Sequence, residues 1–308
     1  MKKIFFGFAV LSIFIASCDK VANPYPEQPS QGSYDLYPDG DSAHYAANAW
    51  PTFSANTNSD RNILVEDFTG HGCAPCAAVG DHLETLIHDN NGRVVGLAIH
   101  AGPNGTGSLQ YTTSTLTNIF YNDYTDELGN YFGVEWTGST FIANPSGMVS
   151  RKDHGSGNPI TGPSGWQNAI NDMITTNDLK VNIQAASNYY SSTSGLFLHT
   201  EIEVLDQALT NELRIVSYLV EDSLIGPQAI PGGYNNDYVH GHILRDAIDG
   251  RTHGQILDAA HMDTTNGNYY FDYIYEVPIG YDNTNSHLVL FVRDAVTEEV
   301  YQVIKHKF

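Results

Sequence analysis

Cysteine is scarce, with 3 in 308 residues, and there is no second C-x-x-C of the kind a cysteine-rich zinc module needs. Basic side chains are scarce too. Lys and Arg total 14 against 35 Asp and Glu, a formal net charge of -21. Such a surface repels phosphate backbones, so nucleic acid is excluded as a partner, and so is an electrostatic grip on anionic lipid. Only one stretch is long and apolar, and it lies at the extreme N-terminus. A G-x-S-x-G elbow and a Gly-rich phosphate cradle are both missing, which leaves serine hydrolysis and nucleotide chemistry without a motif. No internal repeat is present, and nothing calls for a cofactor.

What is there begins with that stretch. Lys2 and Lys3 precede an apolar run from Ile4 to Ala16 that is too short to span a bilayer comfortably. It ends Ile15-Ala-Ser-Cys18, which reads as a bacterial lipobox: residues 1–17 form a lipoprotein signal peptide, and Cys18 becomes the acylated residue that anchors the chain to a membrane. A plain secretory peptide with an incidental cysteine is the alternative. With Cys18 acylated, the remaining thiols are Cys73 and Cys76. Outside the cytoplasm they can form a disulfide. It would close a very short loop and contribute little stability, so a purely structural role is the weaker reading.

Residues 18–60 mix Asn, Pro, Ser, Gly and Asp with no sustained apolar period and read as a flexible tether, although the segment around Ala46–Trp50 could pack on the folded part. From 61 to 177 the pattern is α/β. Ile63–Phe68 and Val94–Ile99 are buried parallel strands, joined by a helix over Ala77–His88. Leu109–Leu128 is an irregular helical insertion. Ser139–Ala143 and Met148–Ser150 form a hairpin about a turn at Asn144–Gly147, and Trp166–Ile174 is a helix. From 178 to 308 the period changes to two, over 179–183, 196–204, 213–220, 269–277, 288–292 and 300–304, which predicts an all-β antiparallel sandwich domain.

Strand, short loop, Cys73-Ala-Pro-Cys76 and helix is the order that sets a thiol at a helix N-terminus. There, unpaired N–H groups and the helix dipole favour the reactive thiolate. This order resembles the thioredoxin-like fold. The resemblance implies that Cys73 is the attacking thiol, Cys76 the buried resolving thiol, and Asp67 the buried acid that assists deprotonation. Glu66 falls on the opposite face of the strand. Two departures stand out. Gly70-His-Gly72 replaces the usual aromatic before the first cysteine, and Gly138 or Ser139 stands where such folds place a cis-proline, which predicts a trans loop there.

Glu66-Asp-Phe-Thr-Gly-His71, with a second stretch comprising Tyr218–Asp222, Gln228 and Tyr238–Arg245, is similar to the outer membrane protein 28-related lipoproteins of Bacteroidetes over residues 60–308. The resemblance implies an outer-membrane lipoprotein, periplasmic or surface-exposed. Two functions are expected. The first is thiol–disulfide exchange with protein dithiol or disulfide substrates. The second is non-catalytic binding of a glycan, peptide or partner protein through the β domain. His71, Cys73, Cys76 and His82 could supply zinc ligands but read as histidines flanking a dithiol. His240 and His242, two apart on an apparent strand near Glu221, Asp222, Asp246 and Arg245, read as hydrogen-bonded histidines rather than metal ligands. The acidic turns Asp35–Asp41 and Asp282–Ser286 lack calcium-loop spacing.

Overall fold

The computed structural model describes residues 34–102 and 109–308; the leader expected over 1–17 and Cys18 lie outside them. The described chain is mixed α/β, with few helices and several sheets. Helix α1 (Ser42–Asn48) is followed by β1 (Ile63–Thr69), α2 (Cys76–Asp89), β2 (Val94–His100) and α3 (Asp123–Phe132). Next come β3 (Ser146–Val149), β4 (Ile160–Thr161) and α4 (Trp166–Thr176). The remaining strands are β5 (Val181–Tyr190), β6 (Gly195–Val204), β7 (Leu213–Glu221), β8 (Leu224–Ile230), β9 (Gly233–His240), β10 (Ile243–Ala247), β11 (Gln255–Ile256), β12 (Tyr269–Glu276), β13 (Ser286–Asp294) and β14 (Val300–His306).

One nine-stranded sheet runs β14-β13-β7-β10-β2-β1-β3-β4, with β11 added beside β7. β1 and β2 are parallel, and β3 and β4 continue antiparallel. β10 lies parallel to β2, so strands from both sides of residue 177 share this sheet. Every residue of β1 and β2 is buried, which accounts for their continuous apolar runs. Alternate residues serve two cores. Leu64, Phe68, Leu97, Ile99, Tyr218, Val220 and Phe291 face α3. On the other face, Ile63 and Val65 meet Leu83 and Leu86 of α2 and Trp166 and Ile170 of α4. Further along that face, Ile215, Leu219, Leu288 and Leu290 pack against Ile183, Leu198 and Phe271 of a second sheet, β12-β6-β5. β8 and β9 form a separate hairpin.

Two expectations are corrected here. The hairpin expected over 139–150 is displaced: β3 begins at Ser146, and its antiparallel partner is β4, reached by a longer loop. The peptides at Gly138 and Ser139 are trans, as expected; among the described residues the cis peptide is Asn144–Pro145. The tether expected over 18–60 is docked in its described part. Leu36 and Tyr45 are buried against Phe197. The Tyr45 hydroxyl meets Nε2 of His199 at 2.8 Å and accepts Nδ2 of Asn188 at 3.0 Å, while His199 Nδ1 lies 2.6 Å from Asp272 Oδ1. A few aromatic anchors outweigh the polar composition around them, because each buries a large apolar area.

The α3 side of the sheet also carries charge. Arg151, fully buried, makes a two-pronged contact with Glu66 at 2.7 and 2.8 Å and reaches Glu298 at 3.2 Å. Glu298 also pairs with Arg293, and the Arg151 guanidinium lies 4.9 Å from the Phe132 ring centroid. Arg151→Leu leaves the Glu66 carboxylate buried without its cation. We expect urea unfolding to show a loss of about 3–5 kcal/mol; a loss below about 1 kcal/mol would show that the network does not hold β1 to the turn between β13 and β14.

Candidate active site at the dithiol

The loop between β1 and α2 closes on itself: Cys73 N donates to Gly70 O at 3.0 Å and Cys76 N to Cys73 O at 3.1 Å. Cys73 and Cys76 are joined in a disulfide with their Cα atoms 5.3 Å apart. Their sulfurs are therefore not zinc thiolates. His82 stacks on Trp166, and His71 Nε2 contacts the Tyr111 carbonyl. Asn144, next to Pro145, donates to the carbonyls of Thr69 and Ala101, so the β3 entrance sits at the ends of β1 and β2 from which the dithiol loop leaves.

Strand alternation separates the two acids of β1. Glu66 faces Arg151. Asp67 faces α2, where it shares with Cys76, His100, Gln228, Tyr238 and His240 the lining of a small cavity of about 50 Å³. Asp67 Oδ1, His100 Nδ1 and His240 Nε2 are buried there without hydrogen-bond partners, and the polar lining suits bridging water. Burial alone pushes the Asp67 carboxyl up to about 8. Burial also holds His100 well below its ordinary value and brings His240 down to about 4. At neutral pH the cavity therefore holds a protonated acid beside uncharged imidazoles.

No pattern in the sequence points to what covers this site. Hairpin β8–β9 lies across the dithiol loop. Ala229 N donates to His71 O at 2.7 Å. Gln228 Nε2 reaches Gly70 O at 3.2 Å and Cys73 O at 3.0 Å. The Tyr238 hydroxyl donates to Ala77 O and Asp81 Oδ1 on α2, and a Cβ on Gly80 would stand 2.7 Å from that hydroxyl. Cys73 is thereby left 3 % exposed and Cys76 2 %, so even the sulfur expected to attack is closed off. Gln228 and Tyr238 belong to the stretch that carried the family resemblance, but nothing in their spacing linked them to a dithiol more than 150 residues away.

His240 and His242 do not share a strand face. His240 ends β9 and packs on Phe120 with ring centroids 4.4 Å apart. His242 sits in the turn before β10 at φ 57° and meets Glu84 and Asp222. The neighbouring acids divide accordingly: Glu221 pairs with Arg245, and Asp246 accepts the Tyr275 hydroxyl.

The sequence matches the family described as outer membrane protein Omp28 over residues 134–308, more than half its length. The chain belongs to the Omp28 family. The matched region contains the covering hairpin and starts after the dithiol. HBP35 of Porphyromonas gingivalis shares the fold, with a TM-score of 0.60 at 14% identity over 82% of this chain and 77% of that one. A domain of the outer membrane lipoprotein Omp28 from the same organism is 23% identical over 42% of this chain and 89% of its own, with a TM-score of 0.29. No curated protein matches. Membership of the Omp28 family makes this an outer-membrane-associated protein of the cell envelope. Among the described residues, no helix is long and apolar enough to cross a membrane.

Two predictions follow from the geometry of this Omp28-family site. Asp67 has a folded pKa above its unfolded value of about 3.9, so between those values the unfolded chain loses a proton that the folded chain keeps. Its contribution to stability therefore falls as pH rises from about 4 to 8 and is level above. Asp67→Asn removes that slope: the stability of the oxidised variant relative to the wild type should grow by up to about 1.4 kcal/mol per pH unit across that window, and a pH-independent difference would refute the raised value. Separately, Gln228→Ala deletes bonds holding the hairpin, each worth about 0.5–1.5 kcal/mol. Reduction of the disulfide by dithiothreitol should speed up roughly tenfold; an unchanged rate would mean that the hairpin does not limit access.

Proposed function

We propose that this chain is an acylated outer-membrane lipoprotein, anchored through Cys18, with a thioredoxin-like portion that exchanges disulfides with envelope proteins at Cys73 and Cys76. The observation that carries this reading is the disulfide at the start of α2, sharing a cavity with a buried Asp67 whose Oδ1 has no hydrogen-bond partner. A staple gains nothing from such an acid, whereas exchange chemistry uses it. A substrate thiolate attacks Cys73 Sγ, the S–S bond breaks towards Cys76, and the departing Cys76 thiolate takes the proton held by Asp67. A second substrate thiol then displaces Cys73. Two electrons pass from the substrate dithiol to the protein, and the disulfide of a second envelope protein takes them up through the same steps in reverse, restoring the Cys73–Cys76 bond. The parallel β1–α2–β2 unit, antiparallel β3–β4 and α4 support the thioredoxin-like reading. The packing of β5, β6 and β12 on β7 and β13 supports a β sandwich beyond it.

The burial of both sulfurs favours a second reading, in which the dithiol is inert and the protein binds a glycan, peptide or partner protein through its β portion. One experiment separates them. In Cys76→Ser, expressed as the full chain in its own envelope, Cys73 is left to trap substrates. We expect disulfide-linked adducts on non-reducing gels, and several-fold more of them when Gln228→Ala is added to loosen the cover. If neither variant yields adducts that disappear on reduction, the exchange reading fails and the binding reading stands.

A further inference from the structure

The second cluster of chemistry-bearing side chains lies at the root of the covering hairpin, where β7, β13 and the turn before β10 converge beside α2. Asp222, His242 and His287, from three distant parts of the sequence, bring one ligand atom each to within 4.8 Å of one another. His242 Nδ1 is 3.1 Å from Asp222 Oδ1, and His287 Nδ1 is 3.2 Å from Asp222 Oδ2. Each histidine thus faces a different oxygen of the same carboxylate, and the three side chains must draw in somewhat from their spread of up to 4.8 Å to reach the roughly 3.3 Å between neighbouring ligand atoms around a tetrahedral zinc ion with bonds of about 2.0–2.1 Å.

We propose that Asp222, His242 and His287 form a binding site for a divalent transition-metal ion of the zinc type, with a fourth position open to water. The surroundings have the features such a site requires. Glu84 Oε1 of α2 lies 2.9 Å from His242 Nε2, on the far side of the ring. When Nδ1 ligates an ion, that carboxylate is placed to receive the proton left on Nε2. The backbone N of His242 donates to Asp222 Oδ1 at 2.7 Å and fixes the carboxylate. His287 Nε2 is buried without a partner, so Nδ1 is the nitrogen through which that ring engages the site. Both histidines are buried while Asp222 is partly exposed, which provides a path of entry. The backbone is shaped to this end. His242 holds a left-handed φ of 57° that costs a side-chain-bearing residue about 1 kcal/mol or more.

One group opposes the ion. Lys305 Nζ lies 3.1 Å from Asp222 Oδ2 and is nearly half exposed. Metal entry sends that ammonium into solvent and releases to solvent any proton on the ligating nitrogens. The donor set of two imidazoles and one carboxylate matches zinc better than calcium or magnesium, which prefer oxygen alone. The site adjoins the dithiol cavity, whose lining includes His242 and Glu84, but it needs neither cysteine, so failure to bind metal leaves the exchange reading untouched.

The test uses the full mature chain, untagged, with its disulfide intact and stripped by a chelator. Equilibrium dialysis against Zn²⁺ should give one bound equivalent, with a rise in melting temperature, and Co²⁺ should give a visible ligand-field band. His287→Ala should weaken binding at least tenfold, whereas His88→Ala, at an exposed histidine, should not. No stoichiometric binding by the wild type, or binding that survives His287→Ala in a folded variant, overturns the proposal. Should His287→Ala not fold, Lys305→Met decides: tighter Zn²⁺ binding than the wild type supports the site, and unchanged or weaker binding overturns it.

Discussion

A backbone hydrogen bond from Ala98 N to His242 O, 2.7 Å long, marks the seam on which the rest of the molecule depends. It belongs to the short parallel pairing of β10 with β2, where Ile243 stands beside Ala98. Through that pairing the sheet built by β1 to β4 continues into β7, β13 and β14. The pairing is brief, but the core behind it is not. Leu97 and Ile99 from one side and Val220, Leu244 and Phe291 from the other share a single buried cluster. Burial at roughly 25 cal/mol per Å² makes that shared face the main force that joins the two parts. With β10 fixed there, its preceding turn and hairpin are brought over α2.

The neighbours Glu66 and Asp67 show how one strand carries two different electrostatic states. A one-residue step moves a side chain to the opposite face of the sheet. On one face the acid meets Arg151 in a two-pronged contact that compensates for its burial. On the other it meets apolar α2 with no cation and is held neutral. Exchanging the two environments would leave a charge unpaired on one side and an arginine unpaired on the other. Burial alone holds the acid on the α2 face neutral next to a cystine.

The βαβ unit, the dithiol and α4 were legible because local pattern and burial agree there: Ile63–Thr69 and Val94–His100 are apolar on both faces and are buried on both. The strand at β3 was misplaced because Phe141, Ile142 and Ala143 form an apolar run as persuasive as a strand, although Ile142 is buried in loop conformation against α3. β9 was invisible for the opposite reason. Gly233 to Asp237 are exposed on both faces, so no alternation of polar and apolar residues marks the strand, and only pairing with β8 defines it. The cluster of Asp222, His242 and His287 had no sequence signal at all. Its members come from a strand end, a turn and a third strand, and their separation along the chain reflects sheet topology rather than any motif.

The cover over the dithiol is built differently from the cores around it. Gln228 and Ala229 are its buried residues next to the loop, and Tyr238 is held by its hydroxyl, whereas Ile225, Tyr234 and Val239 face outward and are more than half exposed. Little apolar area holds the hairpin down, and most of its grip is a handful of hydrogen bonds whose net worth is about 1 kcal/mol each. A segment of that kind belongs to the low end of the range of local opening energies, far below the cost of unfolding the sheet it springs from. It is also rooted beside Asp222 and Glu84, where charged side chains tie the turn to β7 and α2. The tip of the hairpin is therefore its most weakly held part, and the root beside the seam between β10 and β2 its most firmly held.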